Sequence, residues 1–357
     1  MERLRQLKKR VLLIGSEPRN MIRLHMTYDS LKEIGVDVKI LNPFQVPSGH
    51  PRVIKGAIRY LLIMLQVLLA KADIYHLFNV PDIIGVPLIV KRGVLVYDVR
   101  SPWSGAIKET FGSSSLAKVA ELVERLMTRT ADFVLAVNKP LARRARLFGG
   151  KRIFILPNYP PANFGPSRSR EEIRASLGLD SHPTVLYLGK ITRVEGFALL
   201  MNVIQKTCAA HPDVRFLIVG GGPQEASFRR FISEHGLDSN VIMTGWIPHE
   251  KVADYINAVD LCLLPRKWDS YSPYIGPDSV WKAGEYLALG KPVVAPKMGG
   301  FAEAKYPIIP VDPSEMADAV ISFISKPIKE TDAERPSWRI SHERLKQFYT
   351  YLGAIRE

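Results

Sequence analysis

Twelve short apolar segments, most of them separated by stretches of helical periodicity, constrain the fold of this chain more than any other feature. Each is four to seven residues long and largely apolar rather than alternating. Such continuous runs are typical of parallel strands covered on both faces. They form two sets of six, at 11–15, 37–41, 73–78, 93–99, 132–137 and 152–157, and at 184–189, 214–220, 241–245, 260–265, 292–295 and 307–311. Two such sets predict an α/β chain with two Rossmann-like domains.

The boundary between the two sets is a segment without periodicity. Residues 158–167 read Asn-Tyr-Pro-Pro-Ala-Asn-Phe-Gly-Pro-Ser, and this density of proline and glycine is typical of a linker. We therefore expect a first domain over residues 1–160 and a second over residues 161–335, with an amphipathic helix over residues 336–357. Further helices are predicted at 22–34, 116–130, 197–210 and 224–235.

The distribution of charge is the second constraint. The chain has 357 residues and a net charge of +14, and residues 1–160 alone contain 26 Lys and Arg against 12 Asp and Glu. Residues 161–357 contain 23 of each. A one-sided positive field indicates an anionic partner of the first half: a membrane surface, a phosphorylated acceptor or nucleic acid. A merely solubilising surface would have the same composition.

The composition is otherwise that of a globular cytoplasmic protein. Apolar residues make up 46% of the chain and charged residues 24%. Two cysteines, Cys208 and Cys262, cannot build a disulfide framework. The basic N-terminal segment runs into a strand without the apolar core of a signal peptide. We expect a cytoplasmic location.

One uncharged stretch has two interpretations. Residues 60–70 carry no charge and are bracketed by Arg59 and Lys71, with Arg52 and Lys55 nearby. Eleven residues are too few to cross a bilayer, which takes about 20 in a helix. The stretch predicts either a buried helix of the first domain or a helix that dips into a membrane surface. The basic flanks favour the second interpretation.

Residues 278–303 carry the clearest chemical signal. Glu285 opens an apolar run that predicts a helix, and Gly290, followed by Lys-Pro, ends it. Residues 293–295 predict the next strand, and Gly299-Gly300 follows at its carboxyl end. An acid at a helix start facing such a loop fits a nucleotide site. Its carboxylate accepts from ribose hydroxyls, and glycines let backbone N–H groups approach the ligand.

This segment resembles the nucleotide-sugar-binding region of glycosyltransferase family four. The resemblance implies that Glu285, six residues before the lysine of Gly-Lys-Pro-Val, binds the ribose hydroxyls. It also implies that Lys282, preceded by Ser279-Val-Trp, points at the diphosphate or the sugar. Many members carry a second acid eight residues before the glutamate, where this chain has Pro277 with Asp278 beside it. Asp278 and Ser279 are counted among the expected donor contacts.

The turn after residues 184–189 extends the resemblance. The family places an arginine and then a Lys-Gly pair there, and both cations neutralise the donor diphosphate. This chain has Lys190 after Gly189, and Glu195 at the position of the second lysine. Lysine keeps the charge of arginine without its bidentate fork, whereas Glu195 would repel phosphate. Arg193 is expected to supply the missing cation. Alternatively, the turn is only a solvated basic loop.

Two further segments match the family. Residues 220–223, Gly-Gly-Gly-Pro, resemble its Val-Gly-x-Gly-Pro, which lines the nucleotide pocket, so Gly221 and Gly222 are expected there. Trp246 and Ile247, after a glycine, match the segment whose backbone contacts the base. The Trp246 ring could equally pack in the core, and glycine-rich turns occur in any Rossmann domain.

The first half is less similar to the family. Residues 96–101 read Val-Tyr-Asp-Val-Arg-Ser where the family has Val-Tyr-Asp-Ala-His-Glu, so Arg100 and Ser101 replace the histidine and the glutamate. A catalytic base at the cleft would have to be Asp98, or none is used. Arg100 is also counted among the expected catalytic residues, with Lys190 and Lys282. Retaining transfer needs no enzymic nucleophile when the leaving phosphate accepts the proton. The turn at residues 17–19, Glu-Pro-Arg, resembles the loop that makes acceptor or diphosphate contacts.

The resemblance implies a GT-B fold, in which two Rossmann-like parallel-sheet domains face a cleft and the helix at 336–357 packs back onto the first domain. It implies a hexosyltransferase of polysaccharide biosynthesis that moves a sugar from a nucleotide-diphosphate sugar to a glycan or a lipid-linked, phosphorylated acceptor. Retention, no metal and no other cofactor are expected. The basic first domain would bind the acceptor at the cytoplasmic face of an anionic membrane.

Three alternatives remain open from the sequence. A non-catalytic nucleotide-sugar-binding subunit is suggested by the departures from the family at positions 100, 195 and 277. A sugar-nucleotide epimerase would need a cluster of acids and histidines that the sequence does not show. Nucleic-acid binding rests on charge alone, and no recognisable motif supports it, so we expect no nucleic-acid partner.

Overall fold

The computed structural model describes residues 9–44, 52–193, 195–327 and 335–355, with the backbone alone for residues 52–54. The chain divides into two compact units. Unit 1 comprises Met1–Asn158 and Trp338–Glu357, and unit 2 comprises Tyr159–Ser337. The boundaries expected from the sequence lie two residues from these.

Unit 1 is built on a six-stranded parallel sheet. Its strands are β1 (Arg10–Ile14), β2 (Asp37–Ile40), β3 (Ile74–Phe78), β4 (Val94–Val99), β5 (Phe133–Ala136) and β6 (Ile153–Ile155), in the order β2-β1-β3-β4-β5-β6. Its helices are α1 (Ile22–Glu33), α2 (Arg52–Leu69), α3 (Trp103–Phe111), α4 (Ser114–Thr130) and α5 (Lys139–Leu147). Strands β3 and β5 are buried along their whole length, which explains their uninterrupted apolar sequences.

Unit 2 repeats the architecture with another strand order. Its strands are β7 (Thr184–Leu188), β8 (Arg215–Val219), β9 (Val241–Gly245), β10 (Leu261–Leu263), β11 (Val293–Pro296) and β12 (Ile308–Val311), in the order β12-β11-β10-β7-β8-β9. Its helices are α6 (Arg170–Ser176), α7 (Phe197–Ala210), α8 (Glu225–Glu234), α9 (Val252–Asn257), α10 (Trp281–Ala288) and α11 (Met316–Ser325). The prediction of two Rossmann-like parallel sheets is confirmed, and all twelve predicted strands are present.

The last helix, α12 (Arg339–Tyr351), belongs to unit 1 and packs against α1. The Trp338 indole donates to the Ser30 hydroxyl at 2.9 Å, and the Ser341 hydroxyl donates to the Pro157 carbonyl at 2.6 Å. The Tyr349 hydroxyl lies 2.7 Å from Nδ1 of His76 on β3. The core of unit 1 is therefore built from both ends of the described chain.

Residues 60–69 of the uncharged stretch lie in α2, which is neither wholly buried nor wholly exposed. Ile63 and Val67 are fully buried, while Leu61 and Leu65 are exposed. The Arg52 side chain, one of the predicted basic flanks, lies outside the described residues. No helix in the described ranges has both the length and the apolar character needed to span a bilayer.

Candidate active site

The strand order of unit 2 singles out one edge of its sheet. The order reverses between the neighbouring strands β7 and β10, which both lie in the middle of the sheet. In open parallel sheets, ligands bind beyond the carboxyl ends of the strands at such a switch point. The loops after β7, β8 and β9 carry most of the predicted donor residues, and the loop after β10 leads into α10, which carries the others.

Two glycine-rich turns meet at this edge. Gly220 has φ +122°, and a Cβ on it would lie 2.1 Å from the carbonyl oxygen of Gly189, so only glycine fits. The Ile191 amide donates to the Gly221 carbonyl at 3.0 Å. A Cβ on Gly221 would lie 3.1 Å from Nε1 of Trp246. The structure thus brings the segments after β7, β8 and β9 together.

Gly222, Trp246 and Ile247 in these segments differ in packing and in exposure. A Cβ on Gly222 would lie 2.7 Å from the Ile191 carbonyl oxygen, so this glycine also allows the two turns to approach. Trp246 is 65% exposed, and core packing of its ring is therefore excluded in this conformation. Ile247 is half-buried and packs against the core of unit 2.

Lys282 on α10 is held in an ion pair. Its Nζ donates to Oε2 of Glu195 at 2.6 Å and lies 5.1 Å from the centre of the Tyr187 ring. Arg266 contributes a second, longer contact to Glu195 at 3.7 Å. Burial alone would raise the pKa of Glu195, but the Lys282 ammonium and the other nearby cations lower it. Lys282 also lies beside Gly189, where a Cβ would be 3.1 Å from Nζ.

This ion pair changes the expected effect of Glu195. A free carboxylate would repel a diphosphate, whereas here its charge is offset by Lys282, which belongs to a different sequence motif. Lys190 and Arg193 are exposed on the turn after β7. The Lys190 carbonyl accepts from the Tyr187 hydroxyl at 2.6 Å, which fixes the backbone of the turn. Two exposed cations therefore stand on the turn beside the Lys282–Glu195 pair.

Glu285 has a partner that the sequence did not reveal. Its side chain is 2% exposed, and its Oε1 lies 2.7 Å from Nε2 of His249 on the loop after β9. The hydrogen bond with Glu285 raises the pKa of His249 despite partial burial. His249 lies 36 residues away in sequence and carries no motif of its own. Only its position shortly after Trp246 could have suggested a role at this edge.

The predicted helix start was wrong. Helix α10 begins at Trp281, so Glu285 occupies its fifth position rather than its first turn. The Ser279 hydroxyl accepts from the Gly276 amide at 2.8 Å and donates to the Gly276 carbonyl at 3.1 Å. These bonds close a turn that contains Asp278, and the helix starts directly after it. The Ser279 hydroxyl is therefore engaged in local structure.

Asp98 does not have the surroundings of a catalytic base. It is fully buried on β4, and Nε of Arg23 lies 3.1 Å from both of its oxygens. Nε2 of His76 lies 3.4 Å away. Burial alone would raise the pKa of Asp98, but Arg23 and His76 hold it below its usual value. An enclosed, stably ionised carboxylate cannot reach an acceptor hydroxyl, which corrects the expectation for this residue.

Arg100 is also tied into unit 1. Its Nη2 donates to the Asn79 carbonyl at 2.6 Å, and its backbone amide donates to the Asn79 side chain at 2.9 Å. Burial lowers its pKa. The side chain joins the ends of β3 and β4 and is half-buried, so we assign it a structural role in this conformation.

A basic pocket lies at the carboxyl edge of unit 1. The turn after β1 and the beginning of α2 line it, together with residues 42–44. Three cations, Arg19, Lys55 and Arg59, face one acid, Glu17, which pairs with Arg59. The Glu-Pro-Arg turn singled out in the sequence therefore forms part of a cationic pocket.

The comparisons with known proteins agree with this architecture. The family described as "Glycosyl transferases group 1" matches residues 182–326, which lie within unit 2. The structure is similar to sucrose-phosphate synthase from Thermosynechococcus elongatus, with a TM-score of 0.75 and 18% identity over 97% of this chain and 99% of the other. At that identity the likeness concerns the fold.

Curated relatives add sequence similarity over longer stretches. The alpha-D-kanosaminyltransferase of Streptomyces kanamyceticus is 25% identical over 74% of this chain and 68% of its own length. A GDP-mannose-dependent alpha-(1-6)-phosphatidylinositol monomannoside mannosyltransferase of Mycolicibacterium smegmatis is 29% identical over 60% of this chain and 63% of its own length. The chain spans only 41% and 35% of the length of two further relatives.

Proposed function

The chain belongs to the group 1 glycosyltransferases and has the GT-B fold, and from that premise we propose that it transfers a sugar from a nucleotide-diphosphate sugar to a glycan or a lipid-linked, phosphorylated acceptor. Unit 2 binds the donor and unit 1 binds the acceptor. The reaction retains the configuration of the sugar and uses no resident metal or other cofactor. The protein works as a peripheral protein at the cytoplasmic face of a membrane.

The observation that carries the proposal is the pair Glu285 and Lys282 on α10, at the carboxyl edge of unit 2 and within the matched residues 182–326. Residues three apart lie on one side of a helix. That side carries a largely buried carboxylate, whose chemistry suits ribose hydroxyls, and an ammonium, whose chemistry suits a phosphate. Both contact loops of the switch-point edge, through His249 and Glu195.

The diphosphate leaving group needs compensation of its growing negative charge. Lys190 and Arg193 are exposed on the turn after β7, and Lys282 lies beside Gly189 in the same turn. Cations positioned where charge develops stabilise the transition state more than the ground state. With Asp98 enclosed, the proton of the acceptor hydroxyl passes to the departing phosphate, and the chain supplies orientation and positive charge.

The acceptor is assigned to unit 1 because of its charge. Three cations line its pocket, and residues 1–160 carry the whole excess of positive charge. A phosphorylated acceptor would pair with Arg19 and Lys55, which stand at the rim of that pocket. The mycobacterial relative is named for a phosphatidylinositol acceptor, an example of this chemistry.

One observation favours a second candidate, a non-catalytic nucleotide-sugar-binding subunit. Lys282 is paired with Glu195, which stands where the family has a lysine that neutralises phosphate. If Lys282 stays paired with Glu195 when a donor is bound, the site would bind the donor without promoting departure of the diphosphate. Release of nucleoside diphosphate separates the two candidates, because only an enzyme produces it.

The test begins with calorimetry of the full chain against nucleotide sugars that differ in base and in sugar. The donor that binds is then incubated with soluble phosphorylated acceptors, and release of nucleoside diphosphate is followed. We expect binding, slow hydrolysis and faster release with an acceptor. Crystals soaked with the same donor should show it beside Glu285. Failure of every donor to bind would refute the proposal, and binding without turnover would support the second candidate.

A further inference from the structure

We propose that unit 1 docks on an anionic lipid bilayer by inserting an apolar surface formed by the outer sides of α2, of residues 82–90 and of α4. We call this surface the leucine face. The inference rests on the proposed lipid-linked acceptor and adds the element of the fold that meets the lipid. In this proposal the protein is held at the membrane by apolar side chains that enter the lipid, and not by electrostatic attraction alone.

Helix α2 is apolar on two opposite sides. Ile63 and Val67 are fully buried against the rest of unit 1. Leu61, Leu65 and Leu68 follow at helical spacing on the other side, and they are 66%, 50% and 46% exposed. A helix that only covers a sheet has polar residues on its outer side. The exposed leucines of α2 therefore lack an explanation within unit 1.

Helix α4 repeats this pattern. Ala120 and Met127 face the interior, whereas Val119, Leu122 and Leu126 are exposed on the outer side at helical spacing. Leu116 is also exposed, in the first turn of the helix. Leu122 is 65% exposed, nearly the same as Leu61. Two helices of one unit thus share the same departure from ordinary amphipathicity.

Residues 82–90 join the two helices into one surface. This segment packs against both α2 and α4. At its end Val90 is exposed, and Nζ of the next residue, Lys91, donates to the Leu68 carbonyl of α2 at 2.8 Å. The crossovers from β2 to β3, β3 to β4 and β4 to β5 run in one direction along the sheet, which places them on one side of it.

The charges around the leucine face select a bilayer as its occupant. Exposed cations flank it at the start and end of α2, after residues 82–90 and on α4, namely Lys55, Lys71, Arg92, Lys118 and Arg129. An anionic bilayer offers negative headgroups to these cations and hydrocarbon to the leucines. A second copy of the chain would bring the same positive charges against them.

The basic pocket of unit 1 adjoins this surface. Lys55 and Arg59 line the pocket and precede Leu61 on α2 by six and two residues. At the rise of an α-helix these offsets are about 9 Å and about 3 Å along the axis. A phosphorylated headgroup in the pocket would therefore lie within about 9 Å of Leu61 along the axis of α2.

The test is flotation of the full chain with vesicles of phosphatidylcholine, with or without phosphatidylglycerol, at low and high salt. The double variants Leu61→Gln, Leu65→Gln and Val119→Gln, Leu122→Gln change only exposed side chains. Tyr351→Gln is the matched control, because Tyr351 is exposed on α12 and lies outside the leucine face. Calorimetry with the donor is measured on every variant.

We expect the wild-type chain and Tyr351→Gln to float with anionic vesicles, and to float in part at high salt. Each double variant should bind at least tenfold more weakly while keeping its affinity for the donor. Equal binding of the variants, or complete release by salt alone, would overturn the inference. So would a dimer in light scattering that the leucine variants abolish. Loss of donor binding in the wild type, with flotation intact, would instead refute the proposed function.

Discussion

The two units share an architecture but distribute polar and apolar groups in opposite ways. In unit 2, Glu285, Lys282 and Glu195 lie at the carboxyl edge of the sheet, next to exposed Lys190 and Arg193. In unit 1, Arg23, His76 and Asp98 lie in the core, although other cations are exposed. Among the described residues, every large hydrophobic side chain that is exposed belongs to unit 1, apart from Trp246 and Trp268. In the two proposals made above, the same layers serve a polar small molecule in unit 2 and a lipid bilayer in unit 1.

Four buried side chains of unit 1 form a connected chain of contacts. Arg23 contacts Asp98, Asp98 contacts His76, and His76 contacts Tyr349. Arg23 also donates to the Leu156 carbonyl at 2.9 Å. These groups link α1, β3, β4 and α12. These charges inside unit 1 therefore connect its elements, whereas at the edge of unit 2 the exposed Lys190 and Arg193 are open to a ligand.

The largest expected effect is a loss of stability when the buried pair of Arg23 and Asp98 in unit 1 is broken. Asp98→Asn leaves the Arg23 guanidinium buried without its counter-charge, and loss of one partner of a buried pair costs about 3–5 kcal/mol. We expect a decrease of this size in the free energy of unfolding, measured with urea. The control Asp73→Asn removes an exposed pair with Arg10, and about 1 kcal/mol or less should be lost. A stable but inactive Asp98→Asn would instead restore its role as a base.

The second prediction concerns the donor edge of unit 2. Glu285→Ala removes the proposed ribose acceptor, so affinity for the nucleoside diphosphate should fall by about 1.5–3 kcal/mol, the usual size of a charge-assisted hydrogen bond. His249 is half exposed and stays solvated, so the fold should be retained. Calorimetry measures the effect, with Glu250→Ala as an exposed acidic control. Unchanged affinity in Glu285→Ala would remove this residue from the site.

Lys282 and Lys190 test whether the edge promotes the reaction or only binds. Each change to alanine should lower kcat roughly tenfold and affect KM less, because leaving-group charge grows in the transition state. Lys251→Ala, an exposed lysine before α9, is the control. An increase confined to KM would mean uniform binding, and the catalytic role would then be wrong for that residue.

The smallest effect is the pH dependence of the His249–Glu285 contact. The pKa of His249 is raised in the folded state, so the contact stabilises fully below the unfolded pKa of about 6.5 and is lost as pH rises through the folded value. The difference in Tm between the wild type and His249→Ala should therefore shrink as pH increases. A difference that grows with pH would contradict the assigned contact.

Much of the fold could be predicted because parallel strands have a local signature. The runs at 133–136 and 241–245 are recognisable without their neighbours, and so is the end of α10 at its glycine. The start of α10 was missed because the turn around Ser279 depends on hydrogen bonds with Gly276 rather than on apolar periodicity. Local pattern gives the type of an element more reliably than its boundary.

The candidate site was only partly accessible from the sequence. Residues of one motif, such as Lys282 and Glu285, are found by their spacing. The pairs Glu195–Lys282, His249–Glu285 and Arg23–Asp98 join residues 36 to 87 positions apart, which only the tertiary fold brings together. The leucine face was expected only in part: the sequence left a membrane-dipping helix over residues 60–70 open, but it did not indicate the exposed leucines of α4. A helix that is apolar on both sides reads as buried until its neighbours are known.

Helix α12 gives the two units different histories during synthesis. Every strand of unit 1 leaves the ribosome before the first strand of unit 2. His76 and Ser30, however, can form their hydrogen bonds with Tyr349 and Trp338 only after unit 2 has been synthesised. Unit 2, contained in one uninterrupted stretch, has all its residues available earlier. The half that is translated first is thus the half that matures last, and until then its apolar core stays open to chaperones.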